Sequence, residues 1–346
     1  MTTTTNPKRP GNLIVVLLIF GAFVLGLLLG LTSCMPVDEP MAPFNRGSEK
    51  DIRVSTGSNY GTVVYYDLAT QRIVSERSID LWSLSISGDN ADSLIYINTA
   101  LIMSVTNLGQ VAWESVTTPT TTPQQLRYDA PSGDPDSSAF GRWWNADGTS
   151  KGDVYLVNRG INADITELGW SKVMPIRVDD SGITMRIALL DGSSDTTITV
   201  PRDPSHAHVG VFCSFSKAAV VYHVPLRGTW DLCFTRYTYF FYAPDFLAYA
   251  VTGVLLSKDT RASRVDSIPF YDVVAADTLR FPLTNKRDVI GYDWKSYDIP
   301  KGVYTTDTSK VYLVRDRSGL LNKLRFLDFY SETGAKGSPL FVVQRL

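Results

Sequence analysis

The sequence predicts an all-β fold, an antiparallel sandwich or barrel-like body organised as two related β domains. Three observations predict it. Apolar and polar residues alternate with period two in many short runs, the signature of half-buried strands. Aromatic residues make up 11% of the 346 residues, 17 of them Tyr, and most lie in those runs, where flat rings pack well on a pleated surface. Clusters of Gly, Pro, Asp and Ser separate the runs, and few windows repeat with helical period.

In chain order, Gly61 to Leu68 is a β-branched and aromatic strand. Asp80 to Ile86 alternates strictly, with Trp82, Leu84 and Ile86 on one face, and Ile95 to Asn98 follows. Thr117 to Ser138 is rich in Thr, Pro, Ser and Asp and reads as a long loop, either a binding loop or a disordered insertion. Strands resume at Asp153–Val157, Val173–Val178 and Thr184–Leu189, with turns at Asp180-Ser181-Gly182 and Asp191-Gly192. Pro201-Arg202-Asp203-Pro204 interrupts the pattern and marks the boundary between an N-terminal β domain, 58–203, and a C-terminal one, 204–346. The second half repeats the plan of the first. Its Trp230-Asp231-Leu232 strand corresponds to Asp80-Leu81-Trp82, and Val311-Tyr312-Leu313-Val314 echoes Val154-Tyr155-Leu156-Val157. Asp245 to Val254 is the one window with a weak helical pattern.

The N-terminus carries a different signal. Lys8 and Arg9 precede an uncharged apolar run, Leu13 to Leu31, which ends in Leu31-Thr32-Ser33-Cys34. A basic flank, an apolar stretch and small residues before the cysteine form a lipoprotein-type signal peptide, 1–33, with lipid on Cys34. An uncleaved span is the alternative, since the run reaches the ~18 residues that cross a bilayer. Residues 34–57, with Pro36, Asp38, Glu39 and Pro40, read as an extended tether. The acidic pair also resembles the surface-export signal of Bacteroidetes-type lipoproteins. These features place the body at the outer membrane, lipid-anchored and exposed at the cell surface.

A net charge of −2 provides no basic stripe, so nucleic acid is not an expected partner. Cys213 and Cys233 both sit in strand-like runs, and an exported compartment permits them to form a disulfide; buried free thiols are the alternative. There is no HExxH, phosphate loop or GxSxG, and the chain is read as a non-enzyme with no metal site. His206 and His208 share a face if extended, a spacing that can bind a metal or present one haem ligand, or that sits in a solvated loop. His223, before Val224-Pro225, reads as a half-buried histidine. In Tyr237 to Tyr242, period two puts Tyr237, Tyr239 and Phe241 on one face, either lining an apolar pocket or buried in core. Arg236 beside it has the fork that pairs with a ligand carboxylate, or with Asp231. Trp143-Trp144 reads as the loop region packing onto a sheet, or as one ring left exposed for sugar or peptide stacking.

Four segments carry a resemblance. Trp230-Asp231-Leu232-Cys233-Phe234 resembles the Trp-Asp-aliphatic-X-Phe strand of the HmuY-like lipoproteins of Bacteroidetes. Asp288 to Lys295 is similar to another segment of that family's larger members. Tyr312-Leu313-Val314-Arg315, and Lys323 to Phe326 followed by Gly337 to Phe341, resemble its ending. The resemblance covers roughly 205–346. It implies an all-β lipoprotein that binds haem and passes it to an outer-membrane transporter. The family's type member holds the iron with two histidines. This chain departs there: none of its three histidines follows Trp230, and no Met does either. The resemblance therefore leaves Tyr237, Tyr239, Tyr242 and Tyr249 as ligand candidates by their phenolate chemistry. The alternative is a surface interaction or adhesion module that keeps the fold without haem.

Overall fold

Twenty strands, no α-helix and several short 3-10 turns make up the described residues of the computed structural model, which are 49–90, 92–206, 211–215 and 219–346, with the backbone alone at 206 and 211–214. Cys34, the leader and His208 lie outside them. In chain order the strands are β1 (Lys50–Arg53), β2 (Thr62–Asp67), β3 (Arg72–Ser78), β4 (Leu84–Ile86), β5 (Ile95–Ile97), β6 (Ser104–Asn107), β7 (Tyr155–Asn158), β8 (Trp170–Asp179), β9 (Gly182–Leu189) and β10 (Thr196–Pro201). They continue as β11 (Val211–Ser214), β12 (Ala219–Val221), β13 (Leu232–Phe241), β14 (Leu247–Leu256), β15 (Arg261–Val265), β16 (Lys295–Asp298), β17 (Val303–Thr306), β18 (Val311–Arg315), β19 (Leu321–Tyr330) and β20 (Lys336–Arg345). All pairings between them are antiparallel, and no sheet closes into a barrel.

The sheets come in two matching pairs. Four-stranded sheets run β12-β11-β4-β5 and β3-β2-β13-β14; five-stranded sheets run β10-β9-β8-β7-β6 and β1-β20-β19-β18-β15. Position by position, β4 to β12 therefore follow the same plan as β13 to β20 continued by β1, β2 and β3, with the β16–β17 hairpin as an extra element. The match extends to register. Leu156 on β7 faces Lys172 on β8, and Leu313 on β18 faces Lys323 on β19. Both hairpins that follow carry a bulge at the same place, between Pro175 and Arg177 and between Phe326 and Asp328. Isolated bridges Val105–Arg127 and Ala262–Thr284 flank β6 and β15 alike.

Two buried lysines repeat as well. Nζ of Lys172 donates to the carbonyls of Trp113 (2.8 Å) and Val116 (3.0 Å), and Nζ of Lys323 to those of Phe270 (2.7 Å) and Val273 (3.1 Å). Each ammonium also lies over the ring that opens its 3-10 turn, 4.8 Å from Trp113 and 4.7 Å from Phe270. A charge taken out of water requires such a cage of acceptors and a ring face.

Pro201–Pro204 falls inside one repeat, in the link from β10 to β11, and the start of the chain completes the other repeat. Lys50–Arg53, read as tether, is a strand because it pairs with Val343 to Leu340 and buries Ile52. Asp245–Val254, the one weakly helical window, holds the start of β14, since pairing with all of β13 overrides the helical preference of Leu and Ala.

The sheet containing β2 and β13 is covered on both faces. Val64, Tyr66, Leu232 and Phe234 point into the core shared with the β18–β20 sheet, beside Trp294 stacked on Phe326 at 3.9 Å. Val63, Tyr65, Cys233 and Tyr237 point the other way, toward β4, β5 and β7 to β9. This second face forms one wall of the cavity described next.

Candidate functional site

A cavity of about 460 Å³ lies against that face. Val63 and Tyr65 of β2, Cys233 and Thr235 of β13, and Leu255 of β14 form one wall. Trp82, Ser85 and Ile86 from around β4, and Tyr96 and Ile97 of β5, form another. Residues 129–135 of the long Thr/Pro-rich loop close it, and His223, Lys258 and Arg287 complete the lining. The loop is held against the cavity: its Asp129 accepts from the amides of Ile97 (2.8 Å) and Ala139 (2.7 Å) and so pins the loop to β5.

His223 is the nitrogen donor in this lining. It is 4% exposed, with its ring centroid 6.3 Å from Tyr65 and 6.2 Å from Trp82. Burial, helped by the charge of Arg77, lowers its pKa to about 4, so the imidazole is neutral at pH 7, the form that ligates a metal. Tyr65 and Cys233 are directly opposite each other across β2 and β13. Burial pushes Tyr65 well above the usual phenol range and Cys233 up to about 12, so both stay protonated. Burial also raises Asp129 to about 7, against its two amide donors.

Arg287 supplies the cation. Its charge acts on Tyr65, Tyr96 and Cys233 together, which places the guanidinium at the cavity. Its Nε donates to the carbonyl of Leu256 at 3.2 Å, and among the described residues no hydrogen bond engages its terminal nitrogens. Tyr96 is held in place by donating to Asp92 at 2.9 Å.

The residues singled out in the sequence separate. Arg236 lines the cavity, but its fork is occupied by the carbonyls of Ala100, Ile161 (2.7 Å) and Asn162 (3.3 Å), so it ties β13 to the first repeat and offers no clamp to a carboxylate. Tyr237 is 1% exposed within the core. Tyr239 packs on Tyr292 at 4.7 Å, outside the cavity. Tyr242 is 74% exposed at the tip of the β13–β14 hairpin. His206 ends a 3-10 turn, Pro204–His206, and its partner in the motif, His208, lies outside the described residues. Of the two states the sequence left open for Cys233, a bridge to Cys213 or a buried free thiol, the structure has the buried free thiol, opposite Tyr65. Trp143 is buried and donates to the carbonyl of Ser93 at 2.9 Å, so the Trp pair does pack the loop region down.

Sequence reasoning did not single out Tyr65, Tyr96, Asp129 and Arg287, and it read His223 as a half-buried histidine, which the structure buries to 4% exposure. In Thr62–Asp67 both faces are buried, so nothing in the run tells Tyr65 from Tyr66.

A pH dependence follows from His223. Its folded pKa lies below the ordinary 6.5, so protonation favours the unfolded chain. The stability this imposes is present above pH 6.5 and lost as pH falls toward 4, to a total of about 3 kcal/mol. Asp129 acts in the opposite direction, losing stability as pH rises from 3.8 through 7. Subtracting denaturant melts of His223→Gln from those of the wild type between pH 7 and 4 isolates the histidine's share. A flat difference contradicts the buried neutral imidazole.

The fold and site define an all-β protein of paired antiparallel sheets with an aromatic-walled cavity carrying an imidazole and a guanidinium. The family model described as HmuY protein matches residues 59–342, and the chain belongs to this family. The match begins well before residue 205, so the first repeat is as much part of it as the second. Among solved structures the chain is similar to apo PinO from Porphyromonas gingivitis, at 9% identity over 87% of this chain and 98% of that one, with a TM-score of 0.33. It is also similar to the apo HmuY analog of Tannerella forsythia, at 8% identity over 87% and 98%, with a TM-score of 0.31. No curated protein matches the sequence.

Proposed function

We propose that this chain is a lipoprotein of the cell envelope, lipidated at Cys34, that binds haem or a related planar ligand bearing carboxylates and passes it to an outer-membrane uptake system. Its role is binding, not catalysis. The observation that carries the reading is the joint presence, in one 460 Å³ cavity, of a neutral imidazole and an unengaged guanidinium between aromatic walls. That volume lies in the ordinary range of small-molecule sites, ~300–1,000 Å³. The donor set fits a porphyrin: His223 would offer the iron an imidazole nitrogen, Tyr65, Trp82 and Tyr96 would pack on the ring, and Arg287 and Lys258 would pair with the propionates. Tyr65 and Cys233, both protonated, serve as walls and not as anionic ligands. When bound, the haem would supply an iron centre that an imidazole can ligate.

Titrating the full chain in detergent with hemin tests this. The expected result is a saturable Soret shift, with Arg287→Gln weakening binding about tenfold, the loss of one charge-assisted hydrogen bond. An unshifted Soret band at micromolar protein contradicts it. The alternative, an interaction module without haem, is favoured by one observation: Tyr242, Phe246, Leu247 and Tyr249 are all more than half exposed around the hairpin tip.

A further inference from the structure

The β13–β14 hairpin reaches further than its counterpart. Each of its strands has ten residues, whereas β4 and β5 have three each. β14 is the edge strand of its sheet, and only its far half is covered. There Val254 exchanges both backbone bonds with Gly291 (2.9 and 3.1 Å), and the Leu256 amide donates to Arg287 at 2.7 Å. The carbonyl of Thr252 is taken by Nζ of Lys295. Residues two apart on a strand direct their N–H and C=O to the same side, so Ala250 and Ala248 also point theirs outward. Among the described residues no backbone hydrogen bond meets them.

Proteins usually protect such an edge with Lys, Pro or a bulge. Leu247-Ala248-Tyr249-Ala250-Val251 has none of these: no charge, no Pro, and an unbroken register with Phe241 to Tyr237. Leu247 is 53% and Tyr249 55% exposed. The stretch is also symmetric about Tyr249. Laid antiparallel on a second copy with Tyr249 at the two-fold axis, each Ala248 faces Ala250 of the other chain. Those are the two residues whose backbone groups point outward, so each pair exchanges both bonds, about four in all. Tyr249 then faces Tyr249 as a close, non-hydrogen-bonded pair, a favourable aromatic contact across strands. Leu247 faces Val251, with no like charges opposed. Beyond these residues the ladder stops, because Thr252 is already engaged by Lys295.

We propose that this edge is a self-association surface: two copies of the chain pair antiparallel through Leu247–Val251 about a two-fold axis at Tyr249. The partner is a second copy because the register satisfies both edges at once, the condition for an isologous interface. The proposal is independent of what the cavity binds.

Disulfide trapping of the full chain in the envelope of expressing cells tests it. In a non-hydrogen-bonded antiparallel pair the Cα atoms are about 4.5 Å apart, a distance a disulfide spans. Tyr249→Cys is expected to produce a band of twice the monomer mass on non-reducing electrophoresis, absent from the wild type and from Leu279→Cys, an equally simple change at a site 88% exposed. Adding Ala250→Pro, which removes one outward N–H, is expected to abolish the band. Absence of the Tyr249→Cys dimer overturns the proposal, as does a crosslinked band of any other mass. Maleimide reactivity of the introduced thiol then tells a solitary exposed edge from one covered by a different chain.

Discussion

Replacing Asp231 by alanine is expected to destabilise the fold by about 3–5 kcal/mol, the range for removing one member of a buried charged network. Asp231 is fully buried and accepts four hydrogen bonds: from the Leu68 amide at 2.9 Å, the Arg317 amide and guanidinium at 3.0 Å, and the Thr260 hydroxyl at 3.0 Å. Arg317 also pairs with Asp67. The carboxylate therefore joins the end of β2, the turn after β14 and the turn after β18, so segments separated by more than half the chain depend on it. Alanine leaves the Leu68 and Arg317 amides without acceptors and takes from the Arg317 guanidinium one of its two carboxylates, and each orphaned amide costs roughly 1–3 kcal/mol. Equilibrium denaturation by urea measures the loss; a change below about 1 kcal/mol contradicts this account of the network.

The second large effect tests the duplication. Lys172→Met removes a buried ammonium from two carbonyls and a ring, Lys323→Met one from the equivalent two carbonyls, a third at 3.5 Å and a ring, and each is expected to cost roughly 3 kcal/mol. The two losses should agree within about 1 kcal/mol, because the donors, turn and register are the same in both repeats. A large loss at one lysine beside a negligible loss at the other contradicts the structural equivalence. Met keeps the length and apolar stem of the side chain, so the measurement reports the charge and not a cavity.

Strand alternation made much of this fold legible. The Trp strands and the Tyr-Leu-Val strands pointed to a duplication, which the registers of β7–β8 and β18–β19 bear out. What the pattern did not show depends on contacts between distant segments. Nothing local marks Lys50–Arg53 as a strand; its partner lies near residue 342. Lys172 and Lys323 stand as lone charges inside apolar strands, a signal that names a buried cation without naming its acceptors. The cavity was the least legible part. Tyr65, Tyr96, Asp129, His223 and Arg287 come from five separate segments, and only packing brings them together. The dense aromatic run, Tyr237 to Tyr242, drew attention because it is contiguous. It runs from the core at Tyr237 out to the exposed hairpin tip at Tyr242, so it lines no common site.

On the proposed reading, His223 is the group in this cavity that meets the ligand. Hemin titration of His223→Gly, with and without free imidazole, tests it most directly. The glycine opens a space of imidazole size and leaves Arg287 and the aromatic walls in place. The predicted result is loss of the wild-type Soret spectrum on substitution and its return when imidazole is added. A His223→Gly protein that binds hemin with the wild-type spectrum and no need of imidazole contradicts the account.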